Sequence, residues 1–292
     1  MKHLTREWIK ENVLTKFDQH LLPDLYMLEE IIEAKDKQLD IKKFLDNCQN
    51  DDGGFKAWLE PDIQSEQSTM IATSVALSIY HYLGDIDERV ATKVAGYLND
   101  KFNHEEQRWN IVSSDITTDP HAFWWNKEIE PTFGYVNPSA QIIAYACSLN
   151  IEVDESIVEM IKTNISKLEV MEDIHDYSCL VDYYKIMDIE IPEFVLEGVK
   201  KLMVTDPKEW CNYVPRPLDV ITSTTHPLYR RYQDQVNDNL DYLIEELEEH
   251  KVLSPTWSWG QFEDDFDQAK AMWQQRLTYK AINNLYKFGR IK

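Results

Sequence analysis

One pattern recurs five times in this chain of 292 residues. Its clearest copy spans residues 44–84, where FLDNCQNDDGGFKAW leads through a polar stretch into STMIATSVALSIYHYLG. Each copy reads as a helix with one charged face, a turn-rich loop carrying aromatics, and a second helix that is apolar on nearly all sides. A helix of the second kind needs burial all round, and one of the first kind needs it on a single stripe. Helix pairs stacked so that the apolar members lie together satisfy both demands, and a repeat period of this size is the signature of such stacking.

The first repeat pairs residues 38–48 with 69–83. Ile71, Val75, Ala76, Ile79 and Leu83 are the apolar positions of its second helix, and Gly84 is the stop. The second pairs 90–102 with 139–149 across a long loop that holds WNIVSSDITTDPHAFWWN and residues 131–138. Loops of that length inside a folded domain are usually functional. The third reads SIVEMIKTNISKLE then HDYSCLVDYYKIM. The fourth starts at FVLEGVKKLMV, passes WCNYVPRPLDVITSTTHP and resumes as a short helix from Leu228. The fifth pairs 236–250 with a helix near 269–288 through SPTWSWGQFEDDFD, and a further amphipathic helix over 24–34 opens at Pro23. The pattern predicts ten to twelve helices and almost no strand. The expected fold is all-α, an α/α toroid of five to six helix pairs forming one domain over 1–292, with residues 1–37 as N-terminal helices closing the barrel. An open helical solenoid competes with it, though the repeats are unequal and few.

Charge narrows the partners. Thirty basic and 52 acidic side chains give a net charge of −22, which argues against nucleic acid and against an anionic membrane surface. The acidic run LDYLIEELEEH over 240–250 reads as the solvated face of a helix. No apolar stretch approaches the roughly 18–20 residues that span a bilayer. The charged start MKHLTREWIKENVL does not fit a signal peptide, and a soluble, cytoplasmic protein is expected. Cys48, Cys147, Cys179 and Cys211 form no CxxC pair; the first three read as packed, reduced thiols, while Cys211 precedes a turn where a reactive role is open.

QNDDGGF at 49–55 and WSWGQF at 257–262 resemble the loop signature of the prenyltransferase and squalene-cyclase (terpenoid cyclase) superfamily, whose repeats place Gln, Gly and an aromatic after an outer helix. The resemblance implies a helical toroid with a central aromatic-lined cavity. The glycines and the aromatic are structural in that motif: a tight turn, and a ring packed over the neighbouring helix pair. The superfamily's zinc set is not matched, since no DxC occurs and the late helix AKAMWQQRLTYKAI has Trp273 and no histidine. Its DxDD acid is matched only in part by EDDFDQA, with Asp264, Asp265 and Asp267. Closely spaced carboxylates repel, which can keep one protonated as an acid; a solvated helix start is the plainer reading of the same residues.

The resemblance places the N-terminal ends of the apolar helices at the pocket, and the polar residues there are the site candidates. Asp62, Glu66 and Gln67 belong to the first repeat. DPHAFWWN in the second is the densest cluster in the chain: Asp119 and His121 as acid–base groups, with Trp124, Trp125 and Asn126 as a ligand-binding wall. His175 and Asp176 come from the third. From the fourth come Arg216, held rigidly between two prolines, with Asp219, His226 and Tyr229. Asp264, Asp265, Asp267 and Trp257 come from the last loop. His121, His175 and His226 could converge on a metal only from three different repeats, and no metal site is assigned. Walker, GxGxxG, GxSxG and HExxH motifs are absent. Three functions follow as expectations. The first is an isoprenoid-acting enzyme binding an apolar small molecule, without an evident cofactor, or with Mg if a diphosphate is bound. The second is a carbohydrate-active or carbohydrate-binding α/α barrel. The third is a binding scaffold without catalysis.

Overall fold

The computed structural model describes residues 1–17, 21–33, 35–112, 116, 118–126 and 136–292. Part of the long second loop expected at WNIVSSDITTDPHAFWWN and 131–138, and the last residue of the helix expected over 24–34, lie outside the described residues. The described chain is mostly helical, as expected. It divides into two compact units, each drawn from separate stretches: one holds 1–44, 203–258 and 264–292, the other 45–202 and 259–263.

In the second unit the helices alternate in character along the chain. After the end of α3 (Gln38–Cys48) come α4 (Met70–Leu83), α5 (Glu88–Lys101), α6 (Ser139–Ser148), α7 (Glu155–Ser166), α8 (Ile174–Ile186) and α9 (Glu193–Leu202). The even members are the apolar ones and form a layer: α6 packs between α4 and α8, while α7 packs on α6 and α9 on α8. α5, α7 and α9 bury one stripe each, such as Val90, Val94, Tyr97 and Leu98 on α5. Their starts are fixed by side-chain caps. Thr69 accepts from Ala72 N at α4, Asp87 from Arg89 N at α5, and Asp173 from the N–H groups of His175 and Asp176 at α8. α6 lacks such a cap of its own; across the layer, the Asp176 carboxylate accepts the N–H of Asn137, just before it.

The DDGGF loop does what its glycines and aromatic were expected to do. Gly53 turns with φ +94°, and a Cβ there would lie 2.1 Å from the Lys93 carbonyl oxygen, on α5. Gly54 is needed for space, since a Cβ would press on Ser68 and the Tyr97 ring at 2.7 Å. Phe55, fully buried, packs on Tyr80 of α4 with ring centroids 6.3 Å apart. Two short antiparallel ladders that helical periodicity does not announce bracket these loops: β1 (Phe55–Lys56) with β2 (Ser68–Thr69), and β3 (Phe102–Asn103) with β4 (Arg108–Trp109).

The first unit contains α1 (Arg6–Asn12), α2 (Asp24–Glu33), α10 (Pro217–Val220), α11 (Gln233–His250) and α12 (Phe266–Lys287). α12 packs on α2. α11 buries Leu240, Leu243, Ile244 and Leu247 and turns its glutamates to solvent, as the acidic run implied. Leu4 and Ile291 pair as a parallel bridge, and the buried Arg290 guanidinium ties Asp241, Asn237 and the Lys2 carbonyl together; the Lys2 N–H and then this guanidinium outweigh desolvation and hold the Asp241 carboxyl below its usual range. Two expectations fail. No helix starts at Leu228; a turn occupies 228–232, and the fourth repeat is helical instead over Pro217–Val220, where proline suits a first helical position. Cys48 and Cys179 are buried as expected, but Cys147 is exposed on α6; all four thiols are free.

Candidate functional site

DPHAFWWN lies against a distant piece of chain. Residues 119–122 run beside 62–64 through an Ile63–His121 bridge, with Gln64 N donating to Pro120 O at 2.8 Å and Ala122 N to Asp62 O at 3.0 Å. A strap, residues 259–263, lies over this pair. Trp259 is fully buried and donates from Nε1 to Asp62 Oδ1 at 2.8 Å, and its own carbonyl accepts from Phe123 N at 3.0 Å. Gln261 Nε2 donates to His121 O at 2.9 Å, and Gln261 Oε1 accepts from Asn126 Nδ2 at 3.0 Å. His121 is 2% exposed. Its Nδ1 faces the Asp119 carbonyl at 2.6 Å and its Nε2 faces Asn126 Oδ1 at 2.8 Å. The Asp119 carboxylate takes the Ser65 hydroxyl.

The loop thus brings Asp119, His121 and Asn126 together, as expected, but gives them structural work. Both ring nitrogens of His121 are engaged inside the clamp, so the expected proton transfer to a ligand has no free nitrogen to use. Asp119 binds His121 through its backbone carbonyl, not its carboxylate. The two tryptophans part company. Both are partly buried; Trp125 packs on Ala57, Ile63 and Ile116, while Trp124 packs on Phe123, ring centroids 5.2 Å apart.

The candidates from the fourth repeat and the last loop belong to the first compact unit, while Glu66, Gln67, His175 and Asp176 belong to the second. Asp264, Asp265 and Asp267 are all exposed at the start of α12, where the helix dipole favours carboxylates; this is the solvated helix start rather than a shielded acid. Arg216 lays its guanidinium 5.4 Å from the Tyr242 ring centre, and the Asp219 carboxylate accepts the Arg216 N–H at 2.8 Å, closing the first turn of α10. His226 is buried and accepts Leu228 N at Nδ1. Tyr229 packs on Phe288. Trp257 stands edge-on between Tyr213 and Trp273, with centroids 5.2 and 5.0 Å away.

A different polar group, passed over in the sequence, crosses the apolar layer. Asp182 Oδ2 accepts from Tyr145 Oη at 2.6 Å and from Gln141 Nε2 at 3.0 Å, and Ser74 Oγ donates to Gln141 Oε1 at 3.4 Å. α8, α6 and α4 are thereby linked in one line. Each helix is incompletely buried on one side: Ile71, Val75, Ser78, His81 and Tyr82 on α4, Gln141, Cys147 and Ser148 on α6, His175, Ser178, Asp182 and Lys185 on α8, with His81 Nδ1 2.9 Å from Ser148 Oγ. Burial and the neighbouring Asp182 push the Tyr145 hydroxyl well above its ordinary range. The only sequence signal was a polar residue at helical spacing on a helix otherwise apolar, and nothing marked Gln141 or Asp182 over other such residues. Asp176, named from its place at a helix start, is held at about 6, chiefly by burial and then by Asp173; its Oδ1 is buried without a hydrogen-bond partner.

On α9 a groove of about 440 Å³ is lined by Val170, Phe194 and Leu202 with Glu169, Glu172, Glu197 and Lys201. Among the described residues no three of His, Cys, Asp and Glu gather as a metal site, and no helix is long and apolar enough to cross a membrane. No family model, curated protein or solved structure matches the chain.

Proposed function

We propose that the alternating helices close into an α/α toroid and that the chain binds a polar, hydroxyl-rich ligand of the carbohydrate class along the α4–α6–α8 seam. The Asp182–Gln141–Tyr145–Ser74 line carries this reading. An isolated layer of three apolar helices has no structural need for a carboxylate, an amide and a phenol on its half-open stripes, since apolar residues there would pack at lower desolvation cost. Both bonds to Asp182 end on Oδ2, which leaves Oδ1 for a further donor such as a sugar hydroxyl. Calorimetric titration with a panel of neutral oligosaccharides tests it. Binding that Asp182→Asn weakens about tenfold, the worth of a hydrogen bond to a charged group, supports the proposal, and no heat with any member of the panel removes it.

The aromatic row Tyr213–Trp257–Trp273 favours a second reading, an isoprenoid enzyme whose ring faces stabilise a cationic chain. Incubation with prenyl diphosphates and squalene, with and without magnesium, separates the two. Turnover abolished by Trp257→Ala would establish the second; no turnover and no thermal shift would end it.

A further inference from the structure

We infer that the groove along α9 is a docking site for a partner protein, and that its occupant is a short segment carrying a bulky apolar side chain between lysines or arginines. The groove shares no residue with the α4–α6–α8 seam, so either assignment can fail alone. Phe194, Glu197, Gly198, Lys201 and Leu202 stand at i, i+3, i+4, i+7 and i+8, which makes one face of α9 the floor over two turns. Residues 169–172, in the link between α7 and α8, form the facing wall. Wall and floor meet at Gly198, where a Cβ would lie 2.2 Å from the Met171 carbonyl oxygen. The groove is therefore formed before anything binds, and little ordering is left to oppose binding. Its volume of about 440 Å³ falls within the range of about 300–1,000 Å³ of ligand sites. From Phe194 to Leu202 the floor runs about 12 Å, the reach of about four extended residues.

Charge complementarity names the occupant. Val170 is 67% exposed, and Phe194 and Leu202 are only partly buried, so the groove holds apolar surface that a bulky side chain would cover. The charges beside it are mostly of one sign. Glu169 and Glu172 are exposed, and neither forms an ion pair among the described residues; Glu197 is bridged by Lys200, and Lys201 is the base of the lining. Apolar surface next to two uncommitted carboxylates selects an apolar anchor with a cation at its side. The net charge of −22 steers a basic segment toward this face and turns acidic partners away.

Fluorescence anisotropy on the whole chain tests this with three labelled peptides: KKLFLKK, then KKSGSKK with the same charge and no anchor, then EELFLEE with the same anchors and the opposite charge. KKLFLKK is expected to bind at least about tenfold more tightly than either control, the worth of one well-buried anchor. Val170→Asp removes apolar surface while adding an acid, and it should weaken KKLFLKK about tenfold all the same. Glu172→Lys should weaken it too, and Lys201→Glu should tighten it by about threefold, as expected of charges at a rim. Val170, Glu172 and Lys201 are all exposed, so these variants leave the fold in place. No binding of KKLFLKK overturns the proposal. Equal binding of KKSGSKK would reduce the effect to the net charge of the chain, equal binding of EELFLEE would remove the basic partner, and an affinity unmoved by Val170→Asp would place the peptide elsewhere; each of these overturns it as well.

Discussion

The clamp around His121 and the seam around Asp182 are both polar networks in one compact unit, yet they differ in whether they are finished. In the clamp the groups that tie the strap to the loop have their partners inside the protein, although the Trp125 indole N–H beside them is buried without one. The Trp259 indole has Asp62, the Gln261 amide has His121 and Asn126, and the imidazole has two oxygens. In the seam the chain of bonds ends on a half-exposed carboxylate with one oxygen uncommitted. A saturated buried network rigidifies the loop that holds it, whereas an open-ended one at a solvated stripe can accept a ligand. The region richest in chemical residue types is the less available of the two.

If that contrast is right, the clamp should fail by losing stability. Trp259→Ala empties a fully buried indole site and is expected to cost about 3–5 kcal/mol, read from urea unfolding with unchanged slope. A loss below about 1 kcal/mol would mean that the strap is not integral to the unit. Asp62→Ala comes next, at about 2 kcal/mol, because it strands the indole N–H where water cannot reach it. A double-mutant cycle with Trp259→Phe should return a coupling of about 1–2 kcal/mol for that bond alone.

Asp176, at the head of the seam's own helix, sharpens the comparison in the opposite direction. Its carboxyl titrates near 6, up from the ordinary 3.8, so the folded state holds the proton more tightly than the unfolded chain. Its contribution is intact below pH 3.8 and is lost as pH rises toward about 6. Asp176→Asn keeps an oxygen for the Asn137 N–H and removes that loss. It should stabilise the protein at pH 7 by about 1–2 kcal/mol, once its partial exposure is allowed for, and by nothing at pH 3. Equal melting shifts at both pH values would contradict the burial that the structure assigns to it.

The helices were legible because their signal is local. Apolar spacing in MIATSVALSIYHYL, a threonine cap before it and Gly84 after it specify α4 without reference to the rest of the chain. DDGGF was legible for a related reason: a left-handed turn and a close approach both demand glycine. The helix expected from Leu228 went wrong where Pro217 opened one eleven residues earlier, and a short run of mixed residues did not distinguish the two. The candidate site was less visible because it depends on which side chains meet. His121 reads as a catalytic histidine until Asn126, Gln261 and the Asp119 carbonyl surround it, and Gln261 is 135 residues from Asn126. Gln141 and Asp182 are 41 residues apart on different helices, so neither stripe alone shows that a carboxylate and an amide converge.

The seam makes the weakest claim on stability and the strongest on binding, and Asp182→Asn separates the two. The amide keeps an oxygen that can accept from Tyr145 and Gln141, so the variant loses charge but little geometry, and its unfolding free energy should change by less than about 1 kcal/mol. Ligand affinity should fall about tenfold, because the hydroxyl donor loses a charged acceptor and now meets an amide that can turn its nitrogen outward. A variant that unfolds easily while binding normally would reverse the assignment. The seam would then be what the clamp is, a set of internal ties, and Asp182 would owe its place to holding α6 against α8 rather than to anything that reaches the protein from outside.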